Sequence, residues 1–459
     1  MLSSCSKYIQ CNHLCSSSQQ YQSDSITNID KKLTKFWEIE ELPQRTNLSS
    51  SERLCEEHFI SNTTRLESGR FCVRLPLLDS PNTLGDSYDF AKKRFLNLEK
   101  RFRKNTELKT QYTDFINEYA ELVACHKDDQ NLQLILWRED ESQPINTYKL
   151  NTVTYGTASA SYLSTRCLWQ VGEECGDELI KSIIQNDFYV DDLITGSNDE
   201  DELRHIKDAV SRALNLACFP LRKYKSNLTS ILRDFSDVQK DKLITSESSN
   251  TLGLGWSPSS DQLHFPIKPL TVYEKLTKRI IMSNSLKIFD PLGLLSPCII
   301  IPKMMLQKLW LLRLGWDEPV SQDIQESWDE FVNKLPHLGN LQIPRHVLCE
   351  NAKVIEIHSF SDASQSAYGA CIYIKSVNEN NDISVKLLCS KSKVTPLKPM
   401  TIPCLELCAA LLAARLTKAV CDAIKYKPSR VVHWCDSSVV LAWIHSEPRS
   451  LKTFVASNR

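Results

Sequence analysis

Glycine is scarce, with 12 in 459 residues. That is well under the roughly 7% of ordinary usage and excludes glycine-rich repeats and long glycine linkers. Net charge is nearly absent: 55 Lys+Arg against 56 Asp+Glu leave −1. No global field therefore draws the chain to phosphate backbones or anionic membranes, and any nucleic-acid contact must come from local patches. Long apolar runs are missing too. The longest, Leu292 to Pro302, is too short and too proline-broken to span a bilayer. Met1-Leu2-Ser3-Ser4-Cys5 has neither the basic flank nor the apolar core of a secretory signal. No Asp-Thr-Gly or Asp-Ser-Gly triplet occurs, so the water-activating dyad of an aspartic peptidase has no candidate. The 17 cysteines are odd in number and widely spread, which does not make a disulfide framework. Neither Cys5, Cys11, His13 and Cys15 nor the pair Cys404/Cys408 has the spacing of a zinc site. The expectation is a soluble protein of a reducing, cytoplasmic compartment, with no membrane partner.

What is present is an ordinary globular composition, 42% hydrophobic, 24% charged and 8% aromatic. The length suffices for about three domains. Residues 1–32 are Ser-, Gln-, Asn- and Cys-rich and read as a poorly ordered lead-in. Ser49-Ser50-Ser51-Glu52 is a capping box predicting a helix to about Ile60, and a strand follows at Arg70–Pro76. From Asp86, Tyr88, Ala91, Phe95, Leu98 and Phe102 recur at helical spacing, and Leu108, Tyr112, Phe115 and Tyr119 continue the pattern. The opposite face is basic, with Lys92, Lys93, Arg94, Lys100, Arg101, Arg103 and Lys104. It reads as a solvated face, or as one that meets phosphates. Strand-like runs at Leu132–Trp137 and Asp187–Ile194 flank a helix predicted at Ser159–Val171. Asp237–Asn250 reads as a polar loop, followed by strands at Leu252–Trp256 and Gln262–Phe265 and helices around Met304–Leu314 and Gln325–Leu335. Gln342-Ile343-Pro344-Arg345 marks a boundary before the last domain. The fold class is mixed α/β.

Two groups of acids stand out. In Tyr189-Val190-Asp191-Asp192 a strand carries adjacent carboxylates into a tight turn, an arrangement that suits a divalent cation bound by hard oxygen ligands. The second group is spread over the last hundred or so residues. Strands at Val354–Ser361, Ala367–Lys375 and Val385–Ser390 precede a helix with Leu405, Cys408, Ala409, Leu412, Leu416, Ala419 and Val420 on one stripe. Glu406 lies at the edge of that stripe in the first turn. A strand at Arg430–Trp434 ends at Cys435-Asp436-Ser437-Ser438, whose serines cap a helix at Val439–His445. Asp362, Glu406 and Asp436 are then expected to meet at one point of a mixed sheet, a cluster that would be stable only around cations.

The neighbourhood of the first group resembles the reverse transcriptase of BEL/Pao-type retrotransposons. The likeness rests on Leu150-Asn151-Thr152-Val153-Thr154-Tyr155-Gly156-Thr157-Ala158-Ser159, on Asp187-Phe188-Tyr189-Val190-Asp191-Asp192-Leu193-Ile194-Thr195-Gly196, and on Leu221-Arg222-Lys223-Tyr224. It continues through Ile288-Phe289-Asp290-Pro291-Leu292-Gly293-Leu294-Leu295-Ser296-Pro297 and Gly315-Trp316-Asp317. Phe36-Trp37-Glu38, Cys55-Glu56-Glu57-His58-Phe59 and Leu84-Gly85-Asp86-Ser87 resemble the segment joining protease to polymerase in such polyproteins. The second group resembles the ribonuclease H domain of the same elements through Phe360-Ser361-Asp362-Ala363-Ser364, Pro403-Cys404-Leu405-Glu406-Leu407-Cys408-Ala409-Ala410 and Trp434-Cys435-Asp436-Ser437-Ser438.

The resemblance implies catalytic and Mg²⁺-binding roles for Asp191, Asp192, Asp362, Glu406 and Asp436. It also implies nucleic-acid contacts for Tyr189, Arg222, Lys223 and Lys225. It divides the chain into a lead-in (1–32), a helical pre-polymerase segment (33–123), a polymerase palm remnant (124–230), a thumb or connection region (231–347) and a ribonuclease H-like domain (348–459). The implied partners are an RNA–DNA hybrid or primer-template and other element-encoded proteins, with association to virus-like particles. One departure matters. A polymerase of this type needs a third palm carboxylate on a preceding strand, yet the sequence passes from Glu118–Val123 directly to Ala124-Cys125-His126-Lys127-Asp128-Asp129, residues that normally follow that strand. The fourth acid of the ribonuclease H set falls beyond Arg459. The expectation is thus a reverse transcriptase/ribonuclease H polypeptide with impaired chemistry. The competing expectation is a non-enzymatic binding module that keeps the folds; an aspartic peptidase would follow from family association alone.

Overall fold

The computed structural model describes residues 48–118, 124–154, 156–233, 249–251, 254–424 and 426–458. The expectations at 1–32, Phe36-Trp37-Glu38, Tyr119–Val123, Tyr155 and most of Asp237–Asn250 lie outside these residues. The chain divides into two compact units, with the break between Arg222 and Lys223.

In the first unit α1 (Ser50–Asn62) begins as its capping box dictates. The Glu52 N–H donates to Ser49 Oγ and the Ser49 N–H to Glu52 Oε2, at 3.3 and 2.7 Å. Strands β1 (Thr64–Arg65), β2 (Phe71–Val73) and β3 (Ala124–Cys125) make a small sheet, with β2 antiparallel to β1 and parallel to β3. The amphipathic pattern from Asp86 is two helices rather than one. α2 (Tyr88–Lys104) and α3 (Thr106–Glu118) part at Asn105, whose side-chain oxygen accepts from the Leu108 N–H at 2.9 Å. The basic face of α2 is exposed, and Phe95 and Phe102 pack with Trp137 behind it. A hairpin, β4 (Leu134–Trp137) with β5 (Asn146–Lys149), leads to α4 (Ala160–Glu174) and α5 (Glu178–Asn186), the latter capped by Asp177. Then come β6 (Phe188–Tyr189), β7 (Asp192–Leu193) and α6 (Glu200–Leu216). Phe59, Phe71 and Val73 share one core with Leu163, Ile183, Ile184, Val210 and Leu214. Residues on both sides of the division expected at 123/124 therefore fold together.

In the second unit β8 (Ser249–Thr251), β9 (Leu254–Ser257), β10 (Gln262–His264) and β11 (Gln342–Pro344) form an antiparallel sheet in the order β11-β10-β9-β8. The stretch read as a boundary is thus the edge strand of this sheet. Helices α7 (Lys278–Ser285), α8 (Ser296–Leu311) and α9 (Gln322–Lys334) enclose Trp328, Leu309 and Ile281. The string Asp290-Pro291-Leu292-Gly293 has a structural task. Asp290 accepts from the Leu294 and Leu295 N–H groups at 2.9 and 2.7 Å, and the Ser390 N–H donates to Leu292 O at 2.9 Å. Gly293 has φ +71°, and a Cβ there would lie 1.7 Å from Ser390 O, so no other residue fits without displacing the backbone.

That contact docks α8 against the last layer. This is a mixed sheet of β12 (Val354–Ala363), β13 (Ala367–Val377), β14 (Ile383–Val394) and β15 (Arg430–Cys435), in the order β14-β13-β12-β15, with β15 parallel to β12 and the other pairs antiparallel. Alternation puts Ile357, Ile372 and Ile374 on one face, under α10 (Ile402–Ala423). α11 (Ser438–His445) and α12 (Thr453–Asn458) follow, with Val440 and Val455 packed on Leu407. No helix of the described residues is long and apolar enough to cross a membrane.

Candidate metal centre

The sequence placed Asp191 and Asp192 on a strand. The structure reduces that strand to a hairpin of two residues a side, pairing Tyr189 with Asp192, because Val190 turns the chain at φ 55°. Tyr189, Asp191 and Asp192 are exposed. The buried acid here is Asp187, whose carboxylate accepts from Thr195 Oγ1 at 2.8 Å. Leu221-Arg222-Lys223-Tyr224 forms no strand, since Lys223 sits at φ 61°. Arg222 and Lys223 are exposed, whereas Lys225 is half-buried and desolvation lowers its pKa.

The second group converges. Parallel strands bring their carboxyl ends together. The register pairs Ser361 with Cys435, so Asp362 and Asp436 follow side by side at the same end of the sheet. α10 supplies the third acid. Pro403 is the second residue of this helix, its fixed φ suiting the first turn. Starting at Ile402 leaves Glu406 just past the first turn rather than in it, and buried rather than at the edge of the stripe. It is 7% exposed, and its Oε2 has no hydrogen-bond partner. Burial first, then the charges of Asp362 and Asp436, push its carboxyl above the usual range. The Ala363 N–H, which donates to Asp362 Oδ1 at 2.8 Å, opposes this. Asp436 immediately precedes Ser437, whose hydroxyl accepts from the Val440 N–H and caps α11.

Asp362 is exposed and lies outside the cluster of ligand atoms, acting on Glu406 through its charge. A buried carboxylate oxygen without a donor is costly, and neighbouring acids repel. A divalent cation removes both penalties, and oxygen donors suit Mg²⁺. The residues therefore fit such an ion. A carboxylate oxygen of Glu406, one of Asp436 and Cys435 Sγ lie within 4.8 Å of one another. This is the only group of three or more potential ligands among the described residues, and neither Asp191 nor Asp192 belongs to one.

Residues 277–437 match the family described as Pao retrotransposon-like RNaseH-like domain. This region is therefore similar to that family. The match begins at α7 and ends one residue after Asp436, so it takes in the helices and the Gly293 string as well as the sheet. No curated protein matches the chain. Among solved structures, the foamy viral protease-reverse transcriptase dRH in complex with ds DNA is 17% identical, with TM-score 0.40; the alignment covers 73% of this chain and 52% of that one. The foamy viral protease-reverse transcriptase in complex with dsDNA is 17% identical, with TM-score 0.18, covering 73% of this chain and 62% of that one. The chain thus spans about half to three-fifths of the length of the solved chains it matches.

Sequence reading missed two features of this region. Cys435 is one; its only signal was adjacency to Asp436. The other is the open face of the sheet, where Trp434 stacks on Phe360 (centroids 6.1 Å apart, planes 9°) and its Nε1 donates to His358 Nδ1 at 3.1 Å. Alternation along β12 and β15 predicts which of these residues share a face, but not that they stack.

Proposed function

We propose that this chain is a retroelement polypeptide of reverse transcriptase/ribonuclease H type whose working centre is Asp362, Glu406 and Asp436. Its reaction is hydrolysis of the RNA strand of an RNA–DNA hybrid. The observation that carries this reading is the partnerless, buried Glu406 Oε2 beside two further acids. When bound, a divalent cation would supply activation of water and stabilisation of the leaving 3′-oxygen. The protein's part would be positional: the β12/β15 pairing, which ends at Ser361 and Cys435, would set Asp362 and Asp436 at one end of the sheet, with α10 supplying Glu406. A hybrid would be met through phosphates and 2′-hydroxyls rather than base edges.

The Asp191/Asp192 hairpin is proposed as a palm remnant that does not polymerise, since no third acid joins it among the described residues. Tyr189, Arg222, Lys223 and Lys225 are proposed nucleic-acid contacts of that remnant. The fourteen described cysteines are all free thiols, and a reducing, cytoplasmic site of action is proposed on that basis.

The test is cleavage of an end-labelled RNA–DNA hybrid by the full chain with Mg²⁺ or Mn²⁺, compared with Glu406→Gln. Metal-dependent cleavage lost in the variant supports the reading. Tight hybrid binding with no cleavage under either ion would overturn it in favour of a binding module. Primer extension that requires Asp191 would overturn the remnant reading.

A further inference from the structure

Cys435 has no part in the hydrolysis above. It ends β15, opposite Ser361, on the face of the sheet covered by α10, and it packs against Leu407 and Val440. Strand pairing and that packing fix its backbone, so its Sγ stands beside the carboxylates of Glu406 and Asp436 by construction. The three potential ligand atoms lie within 4.8 Å of one another, and Glu406 Oε2 is buried with no donor to satisfy it.

Thiolate and carboxylate together are a poor set for Mg²⁺, which takes oxygen. They are a good set for a borderline or soft divalent ion. With Zn–S about 2.3 Å and Zn–O about 2.0–2.2 Å, ligand atoms of a tetrahedral site stand roughly 3.5 Å apart. Closing the cluster therefore needs side-chain shifts of no more than about 1 Å.

We propose that Glu406, Cys435 and Asp436 form a site for a thiophilic divalent cation, Zn²⁺ or Cd²⁺, which binds through Cys435 Sγ and competes with the hard ion for the two carboxylates. On binding, the Cys435 thiol gives its proton to solvent as the sulfur–metal bond forms. The inference rests on the reading of these carboxylates as a metal centre, but not on hybrid cleavage. Its consequence is that Zn²⁺ displaces the hard ion instead of replacing it functionally.

The probe is Cd²⁺ alone, titrated into the full chain under reducing conditions, with the thiolate-to-metal charge-transfer absorbance followed in the ultraviolet. Other thiols contribute background, so the readout is the component that depends on two different side chains. Cys435→Ser removes the sulfur. Glu406→Gln removes none, yet it is expected to abolish the same component. Cys404→Ser leaves that component unchanged. Far-ultraviolet circular dichroism confirms that each variant is folded. The proposal is overturned if Cys435→Ser leaves the spectrum as it was, or if Glu406→Gln retains the Cys435-dependent component. Mn²⁺ binding by the wild type, lost in Asp362→Asn, reports separately on the carboxylate centre. It can fail while the Cd²⁺ component stands, and the reverse, so the two readings fail distinguishably.

Discussion

Each compact unit buries a carboxylate, and the two are treated in opposite ways. Asp129 in the first unit is 4% exposed; Arg74 donates to both of its oxygens, at 2.8 and 2.9 Å, and the Leu75 N–H adds a bond of 2.9 Å. Burial alone would raise its pKa, but the guanidinium and the amide outweigh it and hold the carboxyl below the usual range. Glu406 in the second unit is equally buried, has like charges for neighbours, and is shifted the other way. The first pattern is satisfied within the protein, whereas the second leaves a buried carboxylate oxygen without a donor beside like charges. Asp191 and Asp192 are exposed and fall outside this contrast.

Four substitutions sharpen the contrast. The largest effect is expected at the unsatisfied cluster, where Glu406→Gln or Asp362→Asn should lower metal-dependent hybrid cleavage by about a thousandfold or more, since each metal-held interaction supplies several kcal/mol. Next, Arg74→Met should destabilise the first unit by about 3 kcal/mol by stranding Asp129, read as a shift in urea midpoint; an unchanged midpoint would remove Asp129 as the structural counterpart.

A smaller effect, of opposite sign, is expected for Glu406→Gln in chelator. The folded chain holds the Glu406 proton more tightly than the unfolded chain does. That contribution is present below the unfolded carboxylate range and is lost as pH rises through the elevated folded value. At neutral pH the variant should therefore be the more stable by about 1 kcal/mol, and near pH 4, about the unfolded value, the difference should vanish. Urea melts at both pH values check this, and a variant less stable than the wild type at neutral pH would contradict it. The smallest effect is expected at the hairpin, where Asp191→Asn should change stability by no more than about 0.5 kcal/mol.

Local pattern made much of this legible from sequence. The Ser49 capping box, the alternation in β12 to β14 and the apolar stripe of α10 set those elements nearly at their observed bounds. Asp362, Glu406 and Asp436 were identified together because their flanking residues resemble one family. What stayed hidden depends on pairing at a distance. The Arg74–Asp129 bond joins residues 55 positions apart, and the Gly293 turn against Ser390 joins residues 97 apart. Neither leaves a periodic trace. The Asp187–Ile194 run reads as one strand because its apolar residues carry β propensity, yet the turn at Val190 and the lack of a longer partner strand leave only two residues a side.

The most direct test of the central claim is a calorimetric Mn²⁺ titration of the full chain in three forms: wild type, Glu406→Gln, and the double variant Asp191→Asn/Asp192→Asn. The account predicts binding in the wild type, its loss in Glu406→Gln and its retention in the double variant. Binding that survives Glu406→Gln and disappears in the double variant would contradict it.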